Sequence, residues 1–268
     1  MGPFLEISSP ENPRLKLFGA AAAGKRRDLV LVEGVRHCRD ALAGGMTPKA
    51  ALLTPEMAAG PAGRELLAAL ARCRPEPAVC RAPARLLRRV SAVETPQGVA
   101  LLLDRPVWTE EELFTGGPLL FLCGVQDPGN AGTLARSALA AGCSGLLALA
   151  GGADPLGPKA VRAAAGTTLR LPSLRLESAA AALALLARRN IPLVGAEMAG
   201  GVDYRRAPFP EPAILVLGPE AGGLPAEVED ALALRVTIPM APGVESLNVA
   251  VAGSLLLFEL ARRREDRA

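Results

Sequence analysis

Histidine is almost missing from this 268-residue chain, with His37 the single copy. Most metal centres and most serine or cysteine triads use histidine, so one copy argues against both. The five cysteines, Cys38, Cys73, Cys80, Cys123 and Cys143, are scattered, odd in number and never spaced Cys-x-x-Cys. That argues against a disulfide scaffold or a zinc ribbon and reads as buried apolar thiols. Aromatic residues make up 3% of the chain, so extensive base stacking is not an obvious binding mode. No apolar run reaches the length of a membrane span, and Met1-Gly-Pro-Phe-Leu-Glu6 lacks a signal peptide's basic and apolar regions. A cytoplasmic protein without a metal is the expectation.

Familiar phosphate and nucleophile motifs are missing too. Gly19-Ala-Ala-Ala-Ala-Gly24-Lys25 fits the start of a phosphate loop, but Arg26 stands where Ser or Thr would bind magnesium. No clear strand precedes it, and the motif requires that context. No Gly-x-Gly-x-x-Gly follows a strand, which leaves a dinucleotide site unsupported. No Gly-x-Ser-x-Gly elbow exists, which argues against a hydrolase.

Half the residues are apolar, enough for a substantial core in one large domain or two ordinary ones. The formal charge of +3 is too small to establish a nucleic-acid partner. The cations are Lys16, Lys25, Lys49 and Lys159, with arginine for all the rest. Arginine suits bidentate phosphate contacts, and the same bias equally fits the coding preference of a GC-rich genome.

Apolar strand-like runs alternate with Ala/Leu-rich helical runs, which predicts an α/β architecture with mainly parallel sheets. Strands are expected at Leu29–Val32, Ala50–Leu53 and Val99–Leu103, with helices at Arg64–Arg72 and Ala84–Val90. Asp104-Arg-Pro-Val-Trp-Thr-Glu-Glu-Glu112 and Gly116-Gly-Pro118 then break the pattern. This predicts a first domain over 1–105, a linker over 106–117 and a second domain over 118–268. In the second domain, strands are expected at Leu119–Cys123, Gly145–Ala150, Ile191–Gly195, Ile214–Leu217 and Leu234–Ile238. Helices are expected at Ala131–Ala141, Lys159–Ala165, Ser178–Arg189 and Leu247–Arg264.

Three polar loops follow apolar strands in that second part. Asp127-Pro-Gly-Asn-Ala-Gly-Thr-Leu-Ala-Arg136 offers Asn130 as a helix cap, with Arg136 in the helix's second turn, where it can hold a phosphate. Leu217-Gly-Pro-Glu-Ala-Gly-Gly-Leu224 offers the carboxylate of Glu220 among glycines that allow close backbone approach. Ile238-Pro-Met-Ala-Pro-Gly-Val-Glu-Ser-Leu-Asn248 offers Ser246 as a helix cap with Asn248 beside it. Each segment alone reads as an ordinary turn. Together they predict one site at a sheet edge.

The conjunction resembles the SpoU/TrmH branch of the SPOUT RNA 2′-O-methyltransferases. Asn130, Gly132 and Arg136 match its first motif, Gly218, Glu220, Gly223 and Leu224 its second. Ile238, Pro239, Met240, Ser246, Leu247 and Asn248 match its third. Ser8-Ser-Pro-Glu-Asn-Pro-Arg-Leu-Lys-Leu17, Val32-Glu-Gly-Val-Arg36 and Thr95-Pro-Gln-Gly98 also resemble, less specifically, the small RNA-recognition domain attached to many members. The resemblance implies a C-terminal domain with a deep trefoil knot, working as a homodimer. It implies S-adenosylmethionine held around Gly195, Leu217, Gly218, Glu220, Ile238, Met240, Ser246 and Leu247. It implies methyl transfer to a ribose 2′-hydroxyl of RNA, rRNA in preference to tRNA. A non-catalytic RNA-binding member of the fold is the other class of reading. Arg136, Asn130, Glu220, Ser246 and Asn248 would form the catalytic set. A guanidinium has a pKa above about 12 and is a poor base. Arg136 is therefore expected to grip a phosphate and stabilise the developing alkoxide. RNA contacts are expected from Arg14, Lys16, Lys25, Arg26, Arg27 and Arg36.

Overall fold

The computed structural model describes residues 4–198 and 200–266, and the chain there folds as two compact units. The first unit is the chain up to Pro106 together with Leu156–Leu169. The second is Val107–Pro155 together with the chain from Arg170 onward. The excursion Leu156–Leu169 corrects the single boundary expected from sequence. Its helix Pro158–Ala163 belongs with the first unit, where Pro158 Cδ lies 3.7 Å from where a side-chain carbon on Gly24 would stand. Of the expected linker over 106–117, the part from Val107 onward groups with the second unit and contains a short helix. Thr109 closes a capping box with Glu112 at the helix Glu110–Leu113, and Leu113 is fully buried.

The first unit contains strands β1 (Leu5–Glu6), β2 (Leu29–Glu33), β3 (Pro48–Leu53), β4 (Ala78–Arg81) and β5 (Val99–Asp104). They lie in the order β1-β4-β3-β5-β2. β5 runs antiparallel to both neighbours, so this sheet is mixed where a mainly parallel one was expected. As a result the start of β5 shares an edge with the ends of β1 to β4. Leu15, Phe18, Leu52, Leu86 and Leu102 fill the core on one face. Gly19–Ala22 form the end of the helix Pro13–Ala22, so the loop-like glycine run there is helical.

The expected RNA-contacting cations separate on this frame. Arg36 follows the end of β2, and Arg14 and Lys16 lie in the first turns of the helix after β1. Lys25, Arg26 and Arg27 precede β2, so they sit at the opposite edge. All six are exposed. Lys16 pairs with Glu11 at 2.5 Å, Arg26 with Asp28 at 2.5 Å, and Arg36 with Asp40 at 3.8 Å. The six do not form one patch.

The second unit holds β6 (Leu119–Leu122), β7 (Gly145–Leu149), β8 (Ser173–Leu176), β9 (Leu193–Glu197), β10 (Val202–Asp203), β11 (Ile214–Leu217) and β12 (Leu232–Thr237). All pairings are parallel, in the order β10-β12-β9-β11-β6-β7-β8. Successive residues of a strand point to opposite faces, and both faces here are apolar, as a parallel sheet covered on both sides requires. Leu120, Leu122, Leu146 and Leu215 pack with the helices Pro128–Ala140 and Val249–Glu265. Leu119, Phe121, Leu147 and Val216 pack with the helix Ala179–Arg189. From β6 the chain builds outward through β7 and β8, then returns to the other side of β6 with β9 and β11. The switch point therefore lies between β6 and β11, where α/β sheets place their ligands.

Candidate active site at the carboxyl edge of the second sheet

Because β6 and β11 are neighbours, the loops that follow them meet. Asp127 caps the helix Pro128–Ala140, its Oδ1 accepting from Asn130 N at 2.9 Å. The cap expected at Asn130 is thus Asp127. Asn130 stands in the first turn, and its side chain is free for other work. Its Nδ2 donates to Glu220 Oε1 at 2.8 Å, and its Oδ1 accepts from Asn248 Nδ2 at 3.1 Å. Gln126 N donates to Glu220 Oε2 at 3.2 Å. Three separated loops are joined by one carboxylate and two carboxamides.

Asn248 also corrects an expectation. It, and not Ser246, is the N-cap of the helix Val249–Glu265, with Oδ1 accepting from Ala250 N at 2.9 Å and Val251 N at 3.3 Å. The helix therefore starts two residues later than predicted. Ser246 is exposed in the preceding loop and makes no hydrogen bond among the described residues.

Burial pushes the Glu220 carboxyl upward, but donation from Asn130 and from the backbone N–H groups of Glu220, Gln126 and Asp127 outweighs it. The result is a pKa below the usual glutamate range. A carboxylate that stays ionised and accepts several N–H groups is a fixed brace, not a proton carrier.

Arg136 does not join this network. Since the helix begins at Pro128, Arg136 falls in its third turn, not its second. It is six residues beyond Asn130, about 9 Å along the axis and roughly 120° around it. The side chain is exposed and has no hydrogen-bond or ion-pair partner among the described residues.

The expected cofactor positions divide in two. Gly218 is the first residue after β11, partly buried, with Leu224 Cδ2 3.1 Å from the place of a β-carbon. Ile238 and Met240 follow β12 and are half-buried, as is Leu247. These, with Glu220 and Ser246, line the loops at the strand ends. Gly195 and Leu217 do not. Gly195 is inside β9, and the space of its missing side chain is filled by Leu232 Cδ1, which a β-carbon would meet at 2.5 Å. Leu217 sits with its side chain in the core, and its carbonyl accepts from Cys123 N at 2.8 Å.

A brace that sequence reasoning missed lies beside the network. Gln126 Nε2 donates to the carbonyls of Gly124 at 3.0 Å and Gly151 at 3.2 Å, and Ala153 N donates to Val125 O at 2.8 Å. From β8, Arg175 donates to Ala150 O at 2.5 Å and Gly152 O at 3.2 Å. The loop after β7 is thereby stitched to the loop that carries Glu220's backbone donor. The contacts are to main-chain carbonyls, which leave no trace in side-chain patterns.

The remaining groups bear on chemistry only by exclusion. Four of the five cysteines are buried, and burial pushes the thiols of Cys38 and Cys143 up to about 12, leaving no reactive thiolate there.

The profile described as the SpoU rRNA Methylase family matches residues 118–258, which include all three loops. An uncharacterized tRNA/rRNA methyltransferase of Synechocystis is 34% identical over 185 residues, 67% of this chain and 65% of that protein. A 23S rRNA guanosine 2′-O-methyltransferase of Bacillus subtilis is 33% identical over 171 residues, 64% of this chain and 67% of that protein. The match thus spans about two thirds of these relatives' length. The crystal structure of an AdoMet-bound rRNA methyltransferase from Sinorhizobium meliloti superimposes with a TM-score of 0.87 at 27% identity, over 98% of this chain and 99% of that one. With more than half of its length matched by the family profile, the chain belongs to the SpoU methylase family.

Proposed function

We propose that the protein transfers a methyl group from S-adenosylmethionine to a ribose 2′-hydroxyl of rRNA. The observation that carries this reading is the Glu220–Asn130–Asn248 network, which gathers all three family motifs at the switch point of the sheet. The donor set suits the cofactor: half-buried Ile238, Met240 and Leu247 flank strand-end backbone that can hold adenine and methionine groups. Bound there, the cofactor supplies a methyl on a sulfonium leaving group. The protein's own part is to orient the ribose and stabilise charge on its oxygen. Asn130 and Asn248 fix the loops against Glu220. Ser246, exposed two residues before Asn248 with its hydroxyl uncommitted, is the candidate ribose contact.

Arg136 grips the phosphate beside the target ribose and stabilises the developing alkoxide. Its position away from Asn130 around the helix favours a role in the site of a second subunit. A homodimer is part of the proposal, and the exposed Val251, Leu255 and Phe258 form a stripe on the C-terminal helix for that contact. The deep trefoil knot and a cytoplasmic location belong to the same proposal, which rests on the family resemblance and on the near full-length likeness in fold to a solved rRNA methyltransferase.

RNA as partner is supported by an uneven distribution of charge. The first unit carries 18 Lys and Arg against 10 Asp and Glu, a net +8, and the second carries 12 against 17, a net −5. The weak overall charge conceals one basic unit, suited to recognition, and one acidic unit, which carries the catalytic loops. rRNA is preferred to tRNA because the Bacillus subtilis relative and the Sinorhizobium meliloti structure are both named for rRNA. Calorimetry with S-adenosylmethionine separates this reading from a non-catalytic RNA-binding one. Saturable binding supports transfer, and no binding contradicts it.

A further inference from the structure

Two motifs of the first unit, Val32-Glu-Gly-Val-Arg36 and Thr95-Pro-Gln-Gly98, place Val35 and Gln97 62 residues apart and take no part in the catalytic network. The fold brings them together. Gln97 Oε1 accepts from Val35 N at 3.0 Å, at the start of the helix Val35–Ala43. Gly34 N donates to Val99 O at 3.2 Å, and Thr54 N to Gly98 O at 2.9 Å. Gly98 has φ +79°, and a β-carbon there would stand 2.9 Å from Thr54 Oγ1, so the turn admits only glycine. Since the acceptor atom of Gln97 must face the Val35 N–H, its orientation is fixed by chemistry. Its two amide N–H groups then have no protein acceptor among the described residues.

Beside this turn, at the edge where β3 and β4 end and β5 begins, is a cleft of about 500 Å³. That volume lies within the range of small-molecule sites, roughly 300–1,000 Å³. Met57, Pro61, Leu87 and Pro96 give it apolar walls, and Gln97 and Arg88 are polar at its margin. Arg88 is exposed and has no partner among the described residues. Glu56, also at the margin, is an acceptor for an exocyclic amine.

We infer that this cleft seats one unpaired nucleotide of the RNA substrate, base between the apolar walls, with Gln97 donating to a base acceptor and Arg88 meeting the phosphate. The inference rests on the RNA reading above and adds a site of sequence readout on the unit that does not carry the methyl-transfer loops. The occupant follows from charge complementarity, since this unit carries the net +8. It follows also from the mixture of apolar walls and a directed amide, a combination that holds bases taken out of the stack. Recognition of one splayed base needs no aromatic platform, in keeping with the scarcity of aromatic residues.

The test uses the full chain and deproteinised bacterial 23S rRNA. Gln97→Glu keeps the oxygen that Val35 requires and replaces the donors with an acceptor. Thr95→Glu adds the same charge to an exposed position two residues away. We expect Gln97→Glu and Arg88→Gln each to weaken rRNA binding about tenfold, the size of losing one good base or phosphate contact. Thr95→Glu should change it less than about twofold, and S-adenosylmethionine affinity should stay as in wild type for all three. In a parallel NMR titration with the four ribonucleoside 5′-monophosphates, at least one should shift the Met57 methyl signal and leave that of Met198 in place. Wild-type rRNA affinity in both Gln97→Glu and Arg88→Gln, or equal losses in Gln97→Glu and Thr95→Glu, would overturn the cleft while leaving the methyl-transfer reading intact. A wild-type chain that binds no rRNA would overturn both.

Discussion

Asn130 and Glu220 stand 90 residues apart in the chain, and the amide of one donates to the carboxylate of the other at 2.8 Å. This bond fixes more than its own two groups. An ionised carboxylate only accepts, so Nδ2 of Asn130 must face Glu220, and Oδ1 is left to accept from Asn248. The order of donors and acceptors through the three loops therefore has one solution.

Reversing one member of that order should disable the site. Asn130→Asp is nearly isosteric, but it sets two carboxylates against each other and presents no donor to Glu220. Methyl transfer in single-turnover assays should fall by about a hundredfold or more, the scale of misplacing reacting groups. The fold should persist, because Asp127 and not Asn130 caps the helix.

The Glu220 carboxyl titrates below the usual range in the folded protein, so its folded pKa is depressed relative to the unfolded chain. The sign then follows. Its stabilising effect is present above the unfolded value and is lost as pH falls through the folded one. Relative to Glu220→Gln, wild type should be more thermostable at neutral pH, with the advantage shrinking over the acid window that opens at the ordinary glutamate value and runs down through the lowered one. A difference independent of pH across that window would contradict an ionised brace.

Arg136→Ala should abolish detectable methyl transfer and leave the melting temperature and S-adenosylmethionine affinity unchanged. The side chain is exposed and has no partner among the described residues to lose. Arg136→Lys should recover only part of the rate, since an ammonium cannot grip a phosphate bidentately. Mixing inactive Arg136→Ala with inactive Asn130→Asp chains should restore activity if Arg136 serves the partner's site.

Gly253 lets the C-terminal helix approach the sheet. A β-carbon there would meet Leu217 Cδ1 at 2.4 Å and Leu134 Cδ2 at 2.5 Å. Gly253→Ala should therefore destabilise the protein by about 1–3 kcal/mol despite better helix propensity, as overpacking of a filled core does. Denaturant unfolding measures it.

The sequence was most legible where one local rule decided the outcome. Ala84–Val90 is a helix over those very residues, and β11 is Ile214–Leu217 as expected. Where two polar residues competed for a cap, the wrong one was chosen twice. Asp127 rather than Asn130, and Asn248 rather than Ser246, accept from the first-turn N–H groups. In both cases the choice turned on where the first helical residue fell, which side-chain type alone does not reveal. β9 lies two residues later than predicted, because Asn190 ends the preceding helix in a left-handed conformation and Pro192 follows. β1, β4, β8 and β10 were missed: β1 and β10 have two residues, and β4 and β8 carry Arg81, Ser173 and Arg175 among their four, so neither shows the unbroken apolar run that marks β11. The packing of Leu156–Leu169 with the first unit is a long-range choice that no local pattern encodes.

Methyl transfer to a ribose is tested by incorporation from methyl-labelled S-adenosylmethionine into deproteinised 23S rRNA. Nuclease digestion and mass spectrometry should then locate the label on a 2′-oxygen at one nucleotide. Wild type should reach about one methyl per rRNA molecule, with Asn130→Asp and Arg136→Ala at background. Label on a base, or no label from a chain that binds the cofactor and the rRNA, would contradict the account.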